Sequence, residues 1–187
     1  GLNVSPKTTF LSQYSGRLGP RRLAALLDGW IRTLRGQGVL PGRSFNLDFH
    51  AIPYCGADAF VEKHYLSRRS RRQKSVLAFL AQDGDTRVLC YCDADVRNGE
   101  EADQVLAFVR FWTRQTGKPP PHLVFDSRLT TYRKLAELTA RGVLFITLRR
   151  GTPTLLREVA LQPRGAWRTV RLDVPQRLYQ TPRVIEQ

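Results

Sequence analysis

The sequence predicts an α/β protein built on one mixed sheet of five strands, three antiparallel and two more added through helical crossovers. Three observations predict it. Phe45-Asn46-Leu47-Asp48-Phe49-His50 alternates strictly, with Phe45, Leu47 and Phe49 on one face of a strand and Asn46, Asp48 and His50 on the other. His122-Leu123-Val124-Phe125-Asp126-Ser127 is a short apolar run behind Pro119-Pro120-Pro121. It reads as a buried parallel strand with an aspartate at its carboxyl end. Between the two lie a β-rich pair of runs about a turn and then a helical repeat.

Composition narrows the class of partner. The chain has 187 residues, room for one domain and part of another. Its hydrophobic fraction, 42%, is that of a packed core and excludes a disordered tail. The formal charge of +14 suggests a polyanion, nucleic acid first and an anionic membrane surface second. No apolar run approaches the roughly 20 residues of a membrane span, so no membrane is expected as partner. Gly1-Leu2-Asn3-Val4 lacks the charged and apolar regions of a signal peptide. Cys90 and Cys92 fall on one face of a strand, Cys55 is far off, and none has zinc-finger spacing. Reduced thiols in a cytoplasmic, nucleoid-associated protein are expected. There is no methionine, even at position 1, and the chain is expected to be a fragment.

Residues 1–43 are expected to form an N-terminal helical segment. Phe10, Leu11 and Tyr14 make a short apolar face ending at Gly16. A longer helix opens at Pro20 and repeats Leu23, Leu26, Leu27, Trp30, Ile31 and Leu34 at helical spacing before Gly36 stops it. Arg17, Arg21, Arg22, Arg32 and Arg35 lie on or beside its other face, which suits either solvent or DNA. The Asp48 strand closes at Pro53. Residues 54–67 show no clear pattern, and Arg68-Arg69-Ser70-Arg71-Arg72-Gln73-Lys74 reads as a basic loop. Segments 76–81 and 87–93 read as strands about a turn at Gln82-Asp83-Gly84-Asp85. Asp83 and Asp85 are therefore turn residues, and Asp93 and Asp95 are weaker rivals to Asp126.

Asn98, with Glu101 three residues on, has the form of a capping box. The helix behind it turns Val105, Leu106, Val109 and Trp112 inward and ends at Gly117. The three prolines enforce an extended approach to the Asp126 strand. Thr130 or Thr131 caps a second helix, with Tyr132, Leu135 and Leu138 inward and Gly142 as its stop, and a β-rich run over 143–148 follows. Right-handed crossovers set the Asp126 strand beside the Asp48 strand. This order resembles the ribonuclease H-like fold, with its core over 44–150. From 151 to 187 the pattern changes. Leu155, Leu156 and Val159 suggest a helix and 166–174 a strand, before prolines break regularity.

The segment from Phe45 to His50 and Leu123-Val124-Phe125-Asp126-Ser127-Arg128 resemble the first and second acidic motifs of bacterial insertion-sequence transposases of the DDE class. Val61 to Lys74, reading VEKHYLSRRSRRQK, resembles one branch of those proteins. So does Thr130 to Arg149, where a helix leads to VLFITLRR, so the likeness covers essentially the whole chain. The resemblance implies cutting and joining of DNA phosphodiester bonds with two divalent ions, Mg2+ or Mn2+. An aspartate of the first strand, an aspartate of the fourth and a glutamate of a later helix hold them, hard oxygen donors for hard cations. Asp48 and Asp126 match the first two positions, as catalytic and metal-binding acids. A Tyr-x2-Arg-x3-Glu motif common in such transposases is not matched, since Tyr179 has Pro182 where the arginine belongs. Glu137, Glu158 and Glu186 are the glutamates left after Asp126. Residues 151–187 look like the truncated start of an insertion subdomain, so this chain alone is expected to be inactive.

His50, on the Asp48 face, reads as a rim histidine or as an auxiliary group that reaches a metal-bound water or a phosphate. Arg68, Arg69, Arg71, Arg72, Lys74 and Arg128 are the expected DNA contacts. Double-stranded DNA, as transposon ends and target, is the expected partner, with a homodimer in the complete protein. Two other functions suit the same residues: a metal-dependent nuclease of the same fold, and a catalytically inactive remnant that binds DNA.

Overall fold

One long strand, Arg71–Asp83, organises the sheet, and both antiparallel neighbourhoods of the fold are built on it. A computed structural model describes residue 13 and residues 17–57, 61–66, 70–94, 96–126, 130–149, 151–171 and 181–185. The short apolar face at Phe10, Leu11 and Tyr14 lies outside the described residues. The chain divides into two compact units, 1–148 and 149–187.

In the first unit the elements follow as helix α1 (Pro20–Gly36), strands β1 (Ser44–Pro53), β2 (Lys63–Leu66), β3 (Arg71–Asp83) and β4 (Leu89–Asp93), helix α2 (Glu101–Thr116), strand β5 (His122–Phe125), helix α3 (Tyr132–Ala140) and strand β6 (Leu144–Thr147). The sheet has six strands, not five, in the order β2-β3-β1-β5-β6, with β4 also on β3. β1 is antiparallel to β3 and parallel to β5, and β5 is parallel to β6. This mixed sheet, entered through two helical crossovers, is consistent with the ribonuclease H-like expectation. The additional strand is β2. It pairs with residues 71–74, so the basic run is not a loop: Arg71, Arg72 and Lys74 are part of β3. Pairing with β2 makes up for the missing apolar alternation there.

One face of the sheet is packed. Phe45, Leu47, Phe79, Ala81, Leu123 and Phe125 are buried, together with Val105, Leu106, Phe108, Val109, Phe111 and Trp112 of α2 and Leu138 of α3. The Phe45 ring meets Trp112 and Phe108 edge-on, with centroids 4.5 and 5.1 Å away. Gly42 enables this approach. It has φ +66°, and a Cβ there would lie 2.4 Å from the Trp112 ring. α1 docks by its carboxyl half. Ile31 and Leu34 are buried, Trp30 Nε1 donates to the Leu89 carbonyl (3.3 Å), and Arg35 lies over the Trp112 ring. Leu23 and Leu26, expected inward, are exposed, because they precede the docked part of the helix.

Helix ends follow local chemistry. α2 begins at Glu101 behind Glu100, and Asn98 does not cap it; Glu101 Oε2 accepts from the Gly99 amide instead (2.7 Å). Gly117 closes it in the left-handed region, φ +76°, as expected for a stop glycine. Tyr132 is 74% exposed rather than inward. Six residues at about 100° each put it roughly 120° around α3 from Leu138, off the buried stripe. Lys134 pairs with Asp103, joining α3 to α2.

The Asp83 carboxylate is fully buried and fully used. Oδ1 accepts from the amides of Asp85 and Thr86 and from Thr86 Oγ1 (3.0, 2.9 and 3.0 Å), and Oδ2 accepts from the Gly42 amide (3.0 Å). It is a turn residue, as its sequence context indicates. Cys90 and Cys92 do not share an environment. A bulge opposite Ala81 and Gln82 leaves Cys90 buried and Cys92 exposed. Burial, with the Asp83 charge adding to it, pushes the Cys90 thiol up to about 12, and burial followed by the Asp93 charge raises Cys92.

The second unit contains α4 (Pro153–Ala160), capped by Thr152 Oγ1 accepting from the Leu155 amide (3.2 Å), and a small antiparallel pair, β7 (Trp167–Thr169) with β8 (Arg183–Ile185). The strand expected over 166–174 is shorter, and 172–180 lie outside the described residues.

Two outcomes follow from these contacts. Asp83→Ala orphans buried donors and is expected to lower the unfolding free energy by roughly 2–4 kcal/mol in urea titration, with Asp83→Asn losing less because one acceptor oxygen stays. A raised thiol pKa withholds the thiolate until high pH. Disulfide-exchange reagent at pH 8 is therefore expected to modify exposed Cys55 first, and Cys90 only after denaturation.

Candidate active site

β1 and β5 are in parallel register from Ser44 opposite His122 to Leu47 opposite Phe125. The Phe45–Leu123 and Leu47–Phe125 pairs are buried, while Asn46 and Val124 are exposed. Asp48 and Asp126 each come one residue after the last pair, Asp48 midway along β1 and Asp126 just past the end of β5, and both are exposed. The carboxyl end of a strand in an open α/β sheet, the position of Asp126, is where ligands bind. The Phe49 amide donates to Asp48 Oδ1 at 2.8 Å, just past the point where the β5 ladder ends. Across β3, Asp48 stands opposite Leu80, and Leu80 opposite Cys92 of β4.

Two exposed carboxylates are hard oxygen donors of the kind a divalent cation takes. Among the described residues, no group of three or more histidines, cysteines, aspartates or glutamates could hold a metal ion. His50 is two residues past Asp48, on the same face and exposed, and does not complete such a group. Glu137 pairs with Arg141 on the surface of α3 (2.6 Å), and Glu158 is exposed on α4 in the second unit. Asp93 is half-buried at the end of β4. Glu186, Asp95, Arg68, Arg69, Ser127 and Arg128 lie outside the described residues.

β2, with the residue before it, carries a second group of polar side chains, outside the motifs legible in the sequence. His64 Nδ1 donates to the Ser75 carbonyl (3.0 Å) and lies 3.2 Å from Ser75 Oγ, and its Nε2 is 3.7 Å from Glu62 Oε2. Glu62 Oε2 in turn accepts from the Asn98 amide (2.9 Å). These contacts tie β2 to β3 and to the approach of α2. Ser75 is 1% exposed and its Oγ donates to the Gln73 carbonyl (3.2 Å), so the trio is a structural clamp and not a nucleophile with its base. The alternation of His64 and Leu66, buried, with Lys63 and Tyr65, exposed, is the signal that marks β2.

No family model and no curated protein matches the chain. Solved structures similar to it include the following two. One is a simian T-cell lymphotropic virus intasome in complex with PP2A regulatory subunit B56 gamma, at 14% identity and TM-score 0.40, covering 66% of this chain and 37% of that one. The other is a piggyBac transposase synaptic complex with hairpin DNA, at 15% identity and TM-score 0.44, covering 70% of this chain and 28% of that one. The chain thus spans well under half the length of either. Strand order and register remain the ground on which the fold is read.

Proposed function

We propose that this chain carries the catalytic sheet of a DNA transposase of the DDE class, with Asp48 and Asp126 as its metal-binding acids. One observation carries the reading: the β1–β5 register, which sets both aspartates one residue beyond the Leu47–Phe125 pair. Two carboxylates just past the paired stretch of adjacent parallel strands fit Mg2+ or Mn2+ by donor chemistry. When bound, two such ions supply an activated oxygen nucleophile and offset charge on the leaving oxygen. The Phe49 amide restrains the Asp48 carboxylate by hydrogen bonding to Oδ1. Arg71, Arg72 and Lys74 bring positive charge to one end of the sheet, where phosphates of double-stranded DNA would be neutralised. Transposon ends and target DNA as substrates, and a homodimer as the working form, belong to the same reading.

A second reading, an inactive DNA-binding remnant, is favoured by one observation. Among the described residues no third ligand joins the pair. Two carboxylates leave two cations under-neutralised, so nicking by this chain is expected to be weak. The metal site is tested apart from turnover. Mn2+ titration followed by electron paramagnetic resonance is expected to show binding that Asp48→Ala and Asp126→Ala each weaken about tenfold or more. Nicking of supercoiled DNA in Mn2+, where seen, should vanish in both variants. Mn2+ binding and nicking that both survive the substitutions would sink the assignment of the two acids.

DNA binding has its own check. Log affinity for duplex is expected to fall linearly with log salt, by about 0.9 per phosphate neutralised. Replacing Arg71, Arg72 and Lys74 by alanine should flatten that slope. A slope unchanged in the triple variant removes this strand from the interface.

A further inference from the structure

The pleat of β3 passes unbroken from the core into the β2–β3 hairpin. At the junction the Tyr54 amide donates to the Lys74 carbonyl (2.9 Å) and the Ser75 amide to the Glu62 carbonyl (3.0 Å). These bonds to opposite sides of successive residues are the alternation of a regular antiparallel ladder. Residues 72, 74, 76, 78 and 80 therefore share one face of the sheet. The β1–β3 register makes it the face of Asp48 and His50, opposite Leu80 and Ala78. The β2–β3 register adds Lys63, opposite Lys74, and Tyr65, opposite Arg72. The hairpin thus turns three cations and a tyrosine to the side on which Asp48 lies. Among the described strand residues of that face, Asp48 is the one carboxylate. Lys74 is six residues from Leu80, the partner of Asp48, or about 20 Å at 3.3 Å per residue.

Tyr65 stands out within this face because it is 56% exposed at the centre of the cations. Its cross-strand partner does not cover it. The Arg72 guanidinium is directed at the Lys63 carbonyl (3.5 Å), and the arginine-over-ring contacts among the described residues are at Trp112 and Phe111. Cations alone suffice to hold the phosphates of a duplex. A cationic strip with an aromatic ring set into it is what an unpaired strand needs, because a base freed from its stack presents a π face to the ring.

We propose that Lys63, Tyr65, Arg72 and Lys74 form a site for an unpaired DNA strand, with a base stacked on Tyr65 and the cations on the flanking phosphates. The proposal rests on the reading of the chain as a DNA-acting protein and adds the strand state of the DNA at the hairpin.

The test is fluorescence anisotropy of the full chain with a labelled oligothymidine and with a labelled duplex of equal length, in one buffer. Tyr65→Ala is expected to weaken oligothymidine binding about tenfold and to leave duplex binding unchanged. Tyr65→Phe, which keeps the ring, should bind both as the parent does, and Arg72→Gln should weaken both. If Tyr65→Ala unfolds the hairpin, Tyr65→Leu replaces it, keeping an apolar side chain without a π face, with the same expectation. The site is overturned if the ring-free variant binds oligothymidine as the parent does, if it loses duplex by the same factor, or if Tyr65→Phe is as damaging as the ring-free change. Duplex binding without oligothymidine binding overturns the site and leaves the DNA reading standing. Binding of neither overturns both.

Discussion

The Asp83 carboxylate is the constraint on which the rest of the sheet depends. It ends β3, holds the turn at Asp85 and Thr86, and reaches back 41 residues to the Gly42 amide. Gly84 adds a second tie, its amide donating to the Ser44 carbonyl (2.9 Å). Together these bonds fix where β1 starts against β3, with Phe45 opposite Asp83. Register then propagates. A slip of one residue would turn Phe45, Leu47 and Phe49 out and Asp48 in, because side chains in a strand repeat every two residues. The placement of a candidate catalytic aspartate is thus set by a structural aspartate on the neighbouring strand, three residues along the ladder.

The two faces of the sheet have different tasks. One is closed by aromatic packing under the helices, from Phe45 against Trp112 to Phe125 beside Phe145. On the other, Val124, Leu144 and Ile146 are exposed beside Asn46 and Asp48. β5 and β6 are short, four residues each, so Asp126, one residue past β5, is reached without crossing the core. A buried face gives rigidity to the open one, and the aspartates sit on backbone that the core holds still.

The parts of the fold legible in the sequence were those with a period. Strict alternation from Phe45 to His50, the helical repeat of α2 and its stop at Gly117, and the proline-led approach to β5 all have local causes. They were enough to order the crossovers and to set the Asp48 strand beside the strand that leads to Asp126. The illegible parts depend on partners. Residues 71–74 have no apolar alternation and form a strand because β2 pairs with them, and β2 is held by His64, Ser75 and Glu62, which are spread over 14 positions. The bulge that separates Cys90 from Cys92 is a property of a pair of strands, not of one. Leu23 and Leu26 show the converse, a helical stripe longer than the surface it docks on.

β3 also limits how this architecture can vary. Because one unbroken pleat serves both the core and the hairpin, the arm cannot be lengthened freely at their junction. A single residue inserted between Lys74 and Ser75 would turn the arm over, sending Tyr65 and Arg72 to the core side and His64 and Leu66 to solvent. Two inserted residues would restore the facing and move the arm outward by about 7 Å. The reach of the hairpin beyond the sheet is therefore quantised, and relatives with a longer arm should differ from this chain by even numbers of residues at that junction.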